Sequence, residues 1–322
     1  MKVLVTGASG FVGGALFRAC RERGWEVRGL GRRPVVDPDY RIVDLASSSA
    51  IDFQPDVVVH AAALSSPWGA TREFHRQNVG ATENVRRFCE GAGAPHLIYI
   101  SSAAVFYRYA HQYGMTEETP IPVRAVNDYA RTKFLGEQVV RGYVGTWCIL
   151  RPRGVFGPGD TVVFPRVLRA AQAGRLPIID TDDPVLGDLI YIDTLVDYIA
   201  AAVQHRVTGD YNLTNDHPIP FMPFLQRIFA ELGFPPIRKR LSADRLMCAA
   251  RVAETIYRLL PIMGEPPITA FAVSAFAYSK TFNVSKAIRD LGRPSVAFED
   301  GVSRFLAWEH ARLNSSETFQ SS

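Results

Sequence analysis

Cysteine is scarce in this chain: four residues in 322, Cys20, Cys89, Cys148 and Cys248, far apart and without a CxxC pair. That spacing indicates neither a zinc site nor a redox motif nor a disulfide framework, so no metal is expected and a reduced, cytoplasmic setting is. An excess of one charge is missing too. The 36 Lys and Arg against 32 Asp and Glu leave +4, and the basic residues are spread along the chain instead of forming the patch or arm of a nucleic-acid binder. Long apolar runs are absent. The longest charge-free stretch, 91–107, is interrupted by Pro95, His96, Ser101 and Ser102, whereas a spanning helix needs about 20 mostly apolar residues. The opening Met-Lys-Val-Leu-Val-Thr is too short for a signal h-region and reads as a strand. With 47% apolar and 21% charged residues, what remains is a globular chain of one large or two modest domains.

The run 2–6 ends in Gly7-Ala-Ser-Gly10-Phe-Val-Gly13, and a helical pattern over 11–23 follows, closed by Gly24 as a C-cap. Further short apolar strands are predicted at 26–30, 41–43, 57–61, 97–101 and 147–150, with helices at 71–89 and 128–143 between them. Such alternation predicts an α/β protein, a doubly wound parallel sheet of Rossmann type. Beyond Arg151 the chain becomes Pro-rich and less regular at 154–165, 180–187 and 215–223. Those stretches suit a smaller substrate-binding lobe interleaved with the sheet: residues 1–155 form the nucleotide domain, 185–215 return to it, and 156–184 with 216–312 form the lobe. Strands at 189–192 and 211–213 are expected to rejoin the main sheet, and the polar tail 313–322 to be disordered.

Gly7, Gly10 and Gly13 stand where the first strand turns into the first helix. The first glycine permits the turn, the second lets backbone amides approach a pyrophosphate, and the third lets helix and strand pack closely. The helix N-terminus adds N–H groups and partial positive charge. Ser9, Phe11 and Val12 of the same loop are therefore candidate cofactor contacts. The second strand ends in Leu30-Gly31-Arg32-Arg33 with no acid. An acid there would hold a ribose 2′-OH, whereas Arg accommodates a 2′-phosphate, so Arg32 and Arg33 favour NADP(H) over NAD(H). Asp44 and Leu45 would border the adenine, and Ala61, Ala62 and Ala63 offer small side chains where a nucleotide lies close. His60, which precedes them, reads as a packed structural histidine.

Tyr129 and Lys133 lie four apart at the start of a predicted helix, hence on one face. Tyrosine titrates near about 10. An ammonium one turn away and a nearby oxidised nicotinamide would stabilise the tyrosinate and fit Tyr129 for general acid/base work. Lys133 would also hold the nicotinamide ribose. Ser102 ends a strand at the carboxyl edge of the sheet, where open α/β folds place their ligands, and its hydroxyl would hold the substrate oxygen. Ser101 is the competing hydroxyl.

These residues, with Asp44, His60-Ala-Ala, Asn78-Val-Gly-Ala-Thr-Glu-Asn84, Leu150-Arg-Pro-Arg-Gly-Val-Phe-Gly-Pro-Gly-Asp160, Tyr191-Ile-Asp193 and Thr281-Phe-Asn-Val-Ser-Lys-Ala287, resemble the extended short-chain dehydrogenase/reductases over most of the chain. The resemblance implies Ser102, Tyr129 and Lys133 as the catalytic set. It also implies Asn78 and Ser101 near the cofactor and Pro152, Gly154 and Val155 as backbone against the nicotinamide. A homodimer through the helices 71–89 and 128–143 follows by the same analogy.

Two branches of that family compete. Nucleotide-sugar epimerases and dehydratases generally carry an Arg before the strand that here reads Asp188-Leu-Ile-Tyr-Ile-Asp193, where it neutralises a diphosphate; Gly187 stands in its place. Arg166, Arg169 or Arg238 are the available substitutes. The segment 265–279 instead resembles the 3β-hydroxysteroid dehydrogenase-like branch. A helical stretch at 246–263, apolar on one side, fits a lid over an apolar substrate. The expected activity is interconversion of a ketone and a secondary alcohol on a sterol-like or β-keto acyl substrate. The aromatic loop 106–115 leaves the sheet at its catalytic edge, either bordering the pocket or packing on itself. Ser65, Trp68, Ala103, Phe106 and Tyr107 are the candidate substrate contacts.

Overall fold

The computed structural model describes residues 1–47, 51–181, 183–260 and 264–320. In chain order the strands are β1 Lys2–Thr6, β2 Glu26–Gly31, β3 Tyr40–Ile42, β4 Val57–His60, β5 His96–Ile100, β6 Gln112–Met115, β7 Trp147–Pro152, β8 Val155–Phe156, β9 Ile178–Asp180, β10 Leu186–Gly187, β11 Ile190–Tyr191, β12 Gly209–Leu213, β13 Ile219–Pro220, β14 Arg240–Ser242 and β15 Lys280–Phe282. The helices are α1 Phe11–Glu22, α2 Thr71–Phe74, α3 Ala81–Gly91, α4 Asp128–Arg141, α5 Phe164–Gln172, α6 Ile192–His205, α7 Phe221–Glu231, α8 Ala243–Leu259, α9 Ala270–Ala277, α10 Ser285–Leu291 and α11 Phe298–Gln320.

Seven strands form one parallel sheet in the order β12-β7-β5-β4-β1-β2-β3. Because alternate strand residues face opposite sides, Val3 and Val5 of β1 join one core with Leu16 of α1 and Leu195 and Ile199 of α6. Leu4 joins the other with Val85 of α3 and Val140 of α4. Coverage on both faces explains why these strands are almost wholly apolar. The chain reverses its direction of winding between β1 and β4, which are neighbours. That switch point opens a crevice at their carboxyl ends, flanked by the glycine loop after β1 and residues 61–64 after β4.

Four differences from the sequence reading have physical causes. Residues 190–191 do not rejoin the main sheet: β11 pairs with β8, and only β12 adds to the large sheet, beside β7. The aromatic loop contains an unexpected strand, β6, drawn into a second sheet of order β13-β10-β15-β6. The helix expected over 71–89 widens to a π-helical turn at His75–Gly80 between α2 and α3, where Thr82 Oγ1 donates to Asn78 O at 2.6 Å. Finally, residues 313–320 of the expected disordered tail continue α11, in whose last turns Ser315 Oγ donates to Ala311 O at 2.8 Å.

Candidate active site

The glycine loop is built on contact distances that exclude side chains. Gly7 has φ +72°, and a Cβ there would lie 2.8 Å from Ala62 N and 2.9 Å from the Ala61 carbonyl. A Cβ on Gly13 would overlap the Gly7 carbonyl oxygen and lie 2.6 Å from its carbon. Gly10 N donates to Gly7 O at 2.8 Å, and Gly10 is the N-cap of α1. Its side-chain-free backbone leaves the first amides of α1, at Phe11 and Val12, without an internal partner. An anion fits that cradle.

The basic end of β2 folds back onto this loop. Arg33 Nη2 donates to Ser9 O, and Tyr40 Oη donates to Arg33 O at 2.6 Å. Arg32 is exposed and its charge is felt by Glu73, whose carboxyl is held low chiefly by its hydrogen bond from Arg76. Asp44 accepts from Ser47 Oγ at 2.9 Å, Ala46 N at 3.2 Å and Arg76 Nη1 at 3.1 Å. Desolvation is the largest single influence and raises it, but these bonds and the Arg76 charge together outweigh it and keep the carboxyl below its usual range. Leu45 is buried, and its carbonyl accepts from Asn84 Nδ2 at 2.8 Å. His60 is wholly buried between Thr6 Oγ1 at 2.7 Å and Thr82 Oγ1 at 3.0 Å. Burial, with the Lys133 charge acting in the same sense, pulls it down to about 3, so it is a neutral structural residue, as its sequence context suggested.

Across the crevice, α4 opens with Asn127, whose Oδ1 accepts from Ala130 N at 2.8 Å. The cap sets Tyr129 in the first turn. The Ser102 and Ser65 side chains both act to lower the Tyr129 phenol. Ser102 caps a short 3-10 turn, Ala103–Phe106, its Oγ accepting from Ala104 N at 3.2 Å. The turn that Ser102 caps packs against α4, which carries Tyr129. Lys133, one turn further, is 3% exposed, donates to Ile100 O at 2.6 Å and lies 4.7 Å from the Tyr99 ring centroid. Burial pulls its ammonium down to about 7, with Glu137 opposing. Burial lifts the Tyr129 phenol above its ordinary range, and the two serine side chains oppose that rise. The expected lowering joined Lys133 with an oxidised nicotinamide; in the protein by itself desolvation wins.

Several expected contacts have other partners. Ser101 Oγ donates to Glu137 Oε1 at 2.6 Å, within a buried network in which Arg151 donates through Nε at 2.8 Å and Nη2 at 2.7 Å to Glu137 and through Nη2 at 2.7 Å to Asp210. Ser101 is thus structural, which leaves Ser102 as the available hydroxyl. Asn78 accepts from Leu64 N at 2.7 Å and donates to Thr132 Oγ1 at 3.0 Å, clamping the loop after β4 onto α4. Phe106 is 0% exposed, packed on Phe282 and under the Arg151 guanidinium, so it belongs to the core and not to the pocket wall. Ala103 is also buried. Tyr107, by contrast, stacks on Phe271 at 6.3 Å and stands between the charges of Arg153 and Lys280. Trp68 lies 5.2 Å under Arg258 of α8, and Tyr109 5.8 Å from Arg251, so the helix foreseen as a lid does lie over these loops; residues 261–263 of that stretch are outside the described residues. Gly154 has φ +54°, with Leu189 2.5 Å from a Cβ built there, and Val155 pairs with Ile190. Pro152 ends β7, buried.

Sequence reasoning missed Glu137, Arg151, Asp210 and Arg153. Glu137 does lie four residues after Lys133, on the same helix face, but nothing in the sequence shows which cations oppose it.

Residues 3–214 match the model of the NAD dependent epimerase/dehydratase family. The chain is similar to a 2-alkyl-3-oxoalkanoate reductase of Stenotrophomonas maltophilia, 31% identical over 95% of this chain and 99% of that one. It also resembles a decarboxylating sterol-4-alpha-carboxylate 3-dehydrogenase of Bos taurus, 27% identical over 96% and 92%. The fold superposes on the Bordetella bronchiseptica enzyme WbmH in complex with NAD+, with a TM-score of 0.74 and 18% identity, covering 96% and 98% of the two chains. The chain belongs to the NAD dependent epimerase/dehydratase family, the extended short-chain dehydrogenase/reductases.

Proposed function

We propose that this protein is an NADP(H)-dependent oxidoreductase that interconverts a ketone and a secondary alcohol on a fairly apolar substrate, of β-keto acyl or sterol-like type. The observation that carries the reading is the placement of Tyr129 and Lys133 one turn apart on α4, packed against the short turn that Ser102 caps at the carboxyl edge of the sheet. The Gly7–Gly13 cradle suits the pyrophosphate, and Arg32 and Arg33 suit a 2′-phosphate. Bound there, the nicotinamide supplies or accepts the hydride. Ser102 holds the substrate oxygen by donating a hydrogen bond to it, and Tyr129 moves the proton at that oxygen. Lys133 spends one of its three donors on Ile100 O, which fixes the ammonium and leaves two donors for the nicotinamide ribose.

The names of the two relatives share a chemical feature: in a 2-alkyl-3-oxoalkanoate, as in a 4-carboxylate acted on at position 3, a carboxylate sits on the carbon next to the reacting carbon. The epimerase alternative is less favoured. Gly187 offers no cation, and Arg166, one of the substitutes, is paired with Glu265 at 2.8 Å. Steady oxidation of NADPH by the purified protein with a 2-alkyl-3-oxoalkanoate is expected, followed at 340 nm. Tightly retained nicotinamide, no net consumption and epimerisation of a UDP-sugar would contradict it. Helices α3 and α4 pack side by side on one face of the sheet, and the proposed homodimer forms through them; light scattering at micromolar concentration is expected to give twice the chain mass. Among the described residues no helix is long and apolar enough to cross a membrane.

A further inference from the structure

Four cations are buried in the described structure: Lys133, Arg151, Arg153 and Lys280. Arg151 is held by two carboxylates, Lys133 donates to Ile100 O and Lys280 donates to Ala110 O. Arg153 is the exception. It is 8% exposed, its Nε is buried without a hydrogen-bond partner, and no carboxylate among the described residues pairs with it. Arginine stays charged in a protein, and a buried charge without a partner is costly. Its guanidinium lies 5.7 Å from the Tyr107 ring centroid and 5.9 Å from that of Phe221. The glycine at 187 gives it room: a Cβ there would lie 3.2 Å from Arg153 Nη2. Asp188, whose carboxyl feels the Arg153 charge, makes no salt bridge with it: its Oδ2 accepts from Phe282 N at 2.8 Å, and its Oδ1 is buried and unpartnered.

The place matters as much as the charge. Tyr107 follows Ser102 by five residues, at the end of the short turn that Ser102 caps, and its phenol feels the charges of both Arg153 and Tyr129. Arg153 therefore lies against the ring that ends the turn begun by Ser102, the hydroxyl proposed to hold the substrate oxygen. The surrounding walls are apolar and aromatic, with Tyr107 on Phe271 and Phe221 on Phe276. Lys280, 5.8 Å from the same ring centroid, adds a second cation.

We propose that Arg153 recognises a carboxylate on the substrate, borne on the carbon next to the ketone. This specificity role rests on the ketone reductase reading above and adds a residue to it. A planar guanidinium suits a carboxylate through two parallel N–H donors. A single anionic head on an apolar body matches one unpartnered Arg among rings better than a diphosphate does.

The test compares wild type, Arg153→Met and Arg153→Lys on a 2-alkyl-3-oxoalkanoate and its methyl ester, with NADPH. Calorimetric binding of the unreactive 2-alkylalkanoate to the NADP+ complex and thermal unfolding without ligand accompany it. The preference of kcat/KM for acid over ester is expected to fall by about 10- to 100-fold in Arg153→Met, the range of one charge-assisted hydrogen bond. Arg153→Lys should recover part of it. Carboxylate binding weakens in parallel, and the Met variant unfolds no earlier than wild type, because an unpartnered charge has been replaced by an apolar chain. An unchanged acid-to-ester ratio in a variant that still reduces the ketone overturns the role of Arg153 and leaves the reductase reading standing. Loss of carboxylate binding in a protein that reduces neither compound does the reverse. Binding of UDP-glucose that depends on Arg153 more than carboxylate binding does would make it a diphosphate partner and overturn the proposal.

Discussion

Replacing Glu137 with Leu tests how the catalytic edge is held. Glu137 is 0% exposed and accepts three hydrogen bonds of 2.6 to 2.8 Å, one from Ser101 and two from Arg151. Arg151, itself 1% exposed, would keep only Asp210, and its Nη1 already lacks a partner. Removing one member of a buried ion pair costs about 3–5 kcal/mol. At about 2.1 cal/mol/K per residue, 322 residues give an unfolding entropy of about 0.7 kcal/mol/K, so the midpoint should drop by about 4–7 °C. Differential scanning calorimetry measures it. The companion Ser101→Ala loses one charge-assisted bond, costing about 1.5–3 kcal/mol, and should leave the KM for NADPH within twofold, since that hydroxyl faces Glu137. A Glu137→Leu midpoint within 1 °C of wild type, or a large rise in KM for Ser101→Ala, would refute the reasoning.

Further outcomes follow from the same geometry. Gly13→Ala forces a methyl onto the Gly7 carbonyl; overpacking of about 1–3 kcal/mol should appear as a lower melting midpoint together with weaker NADPH binding by fluorescence titration. Arg33→Ala removes a guanidinium lying on the glycine loop and should raise the KM for NADPH about tenfold or more while changing that for NADH little, as one charge-assisted phosphate bond predicts. Stability should rise with pH from about 7 to 8.5. Lys133 and Lys280 are both pulled by burial to about 7 in the folded chain, so over that window the unfolded chain binds more protons and each lysine contributes of the order of 1 kcal/mol. Urea midpoints at the two pH values check it, and Lys280→Met should remove about half of the rise.

The sheet and the nucleotide loop were legible because their signals are local. Apolar runs, glycine spacing and one-turn helix spacing depend on neighbours within a few residues, and Gly7, Gly13, Tyr129 and Lys133 stand where those patterns put them. What was not legible depends on partners far along the chain. Ser101 and Ser102 are adjacent and chemically alike, and only Glu137, 36 residues away, tells them apart. Phe106 and Tyr107 look equally suited to a pocket, yet both are buried, one against Phe282 and the other beside Arg153 and Lys280. Strand β6 has no apolar alternation of its own; Gln112 and Met115 pair only because β15 brings Lys280 and Phe282 alongside. The unpartnered state of Arg153 likewise follows from which acids fail to reach it.

The central claim is that Tyr129 transfers the proton in an NADPH-dependent ketone reduction. Its most direct test is the single-turnover rate of NADPH oxidation with a saturating 2-alkyl-3-oxoalkanoate in wild type and Tyr129→Phe. The account predicts a fall of about 10² to 10⁴ with NADPH affinity unchanged. Turnover by Tyr129→Phe at close to the wild-type rate would contradict it.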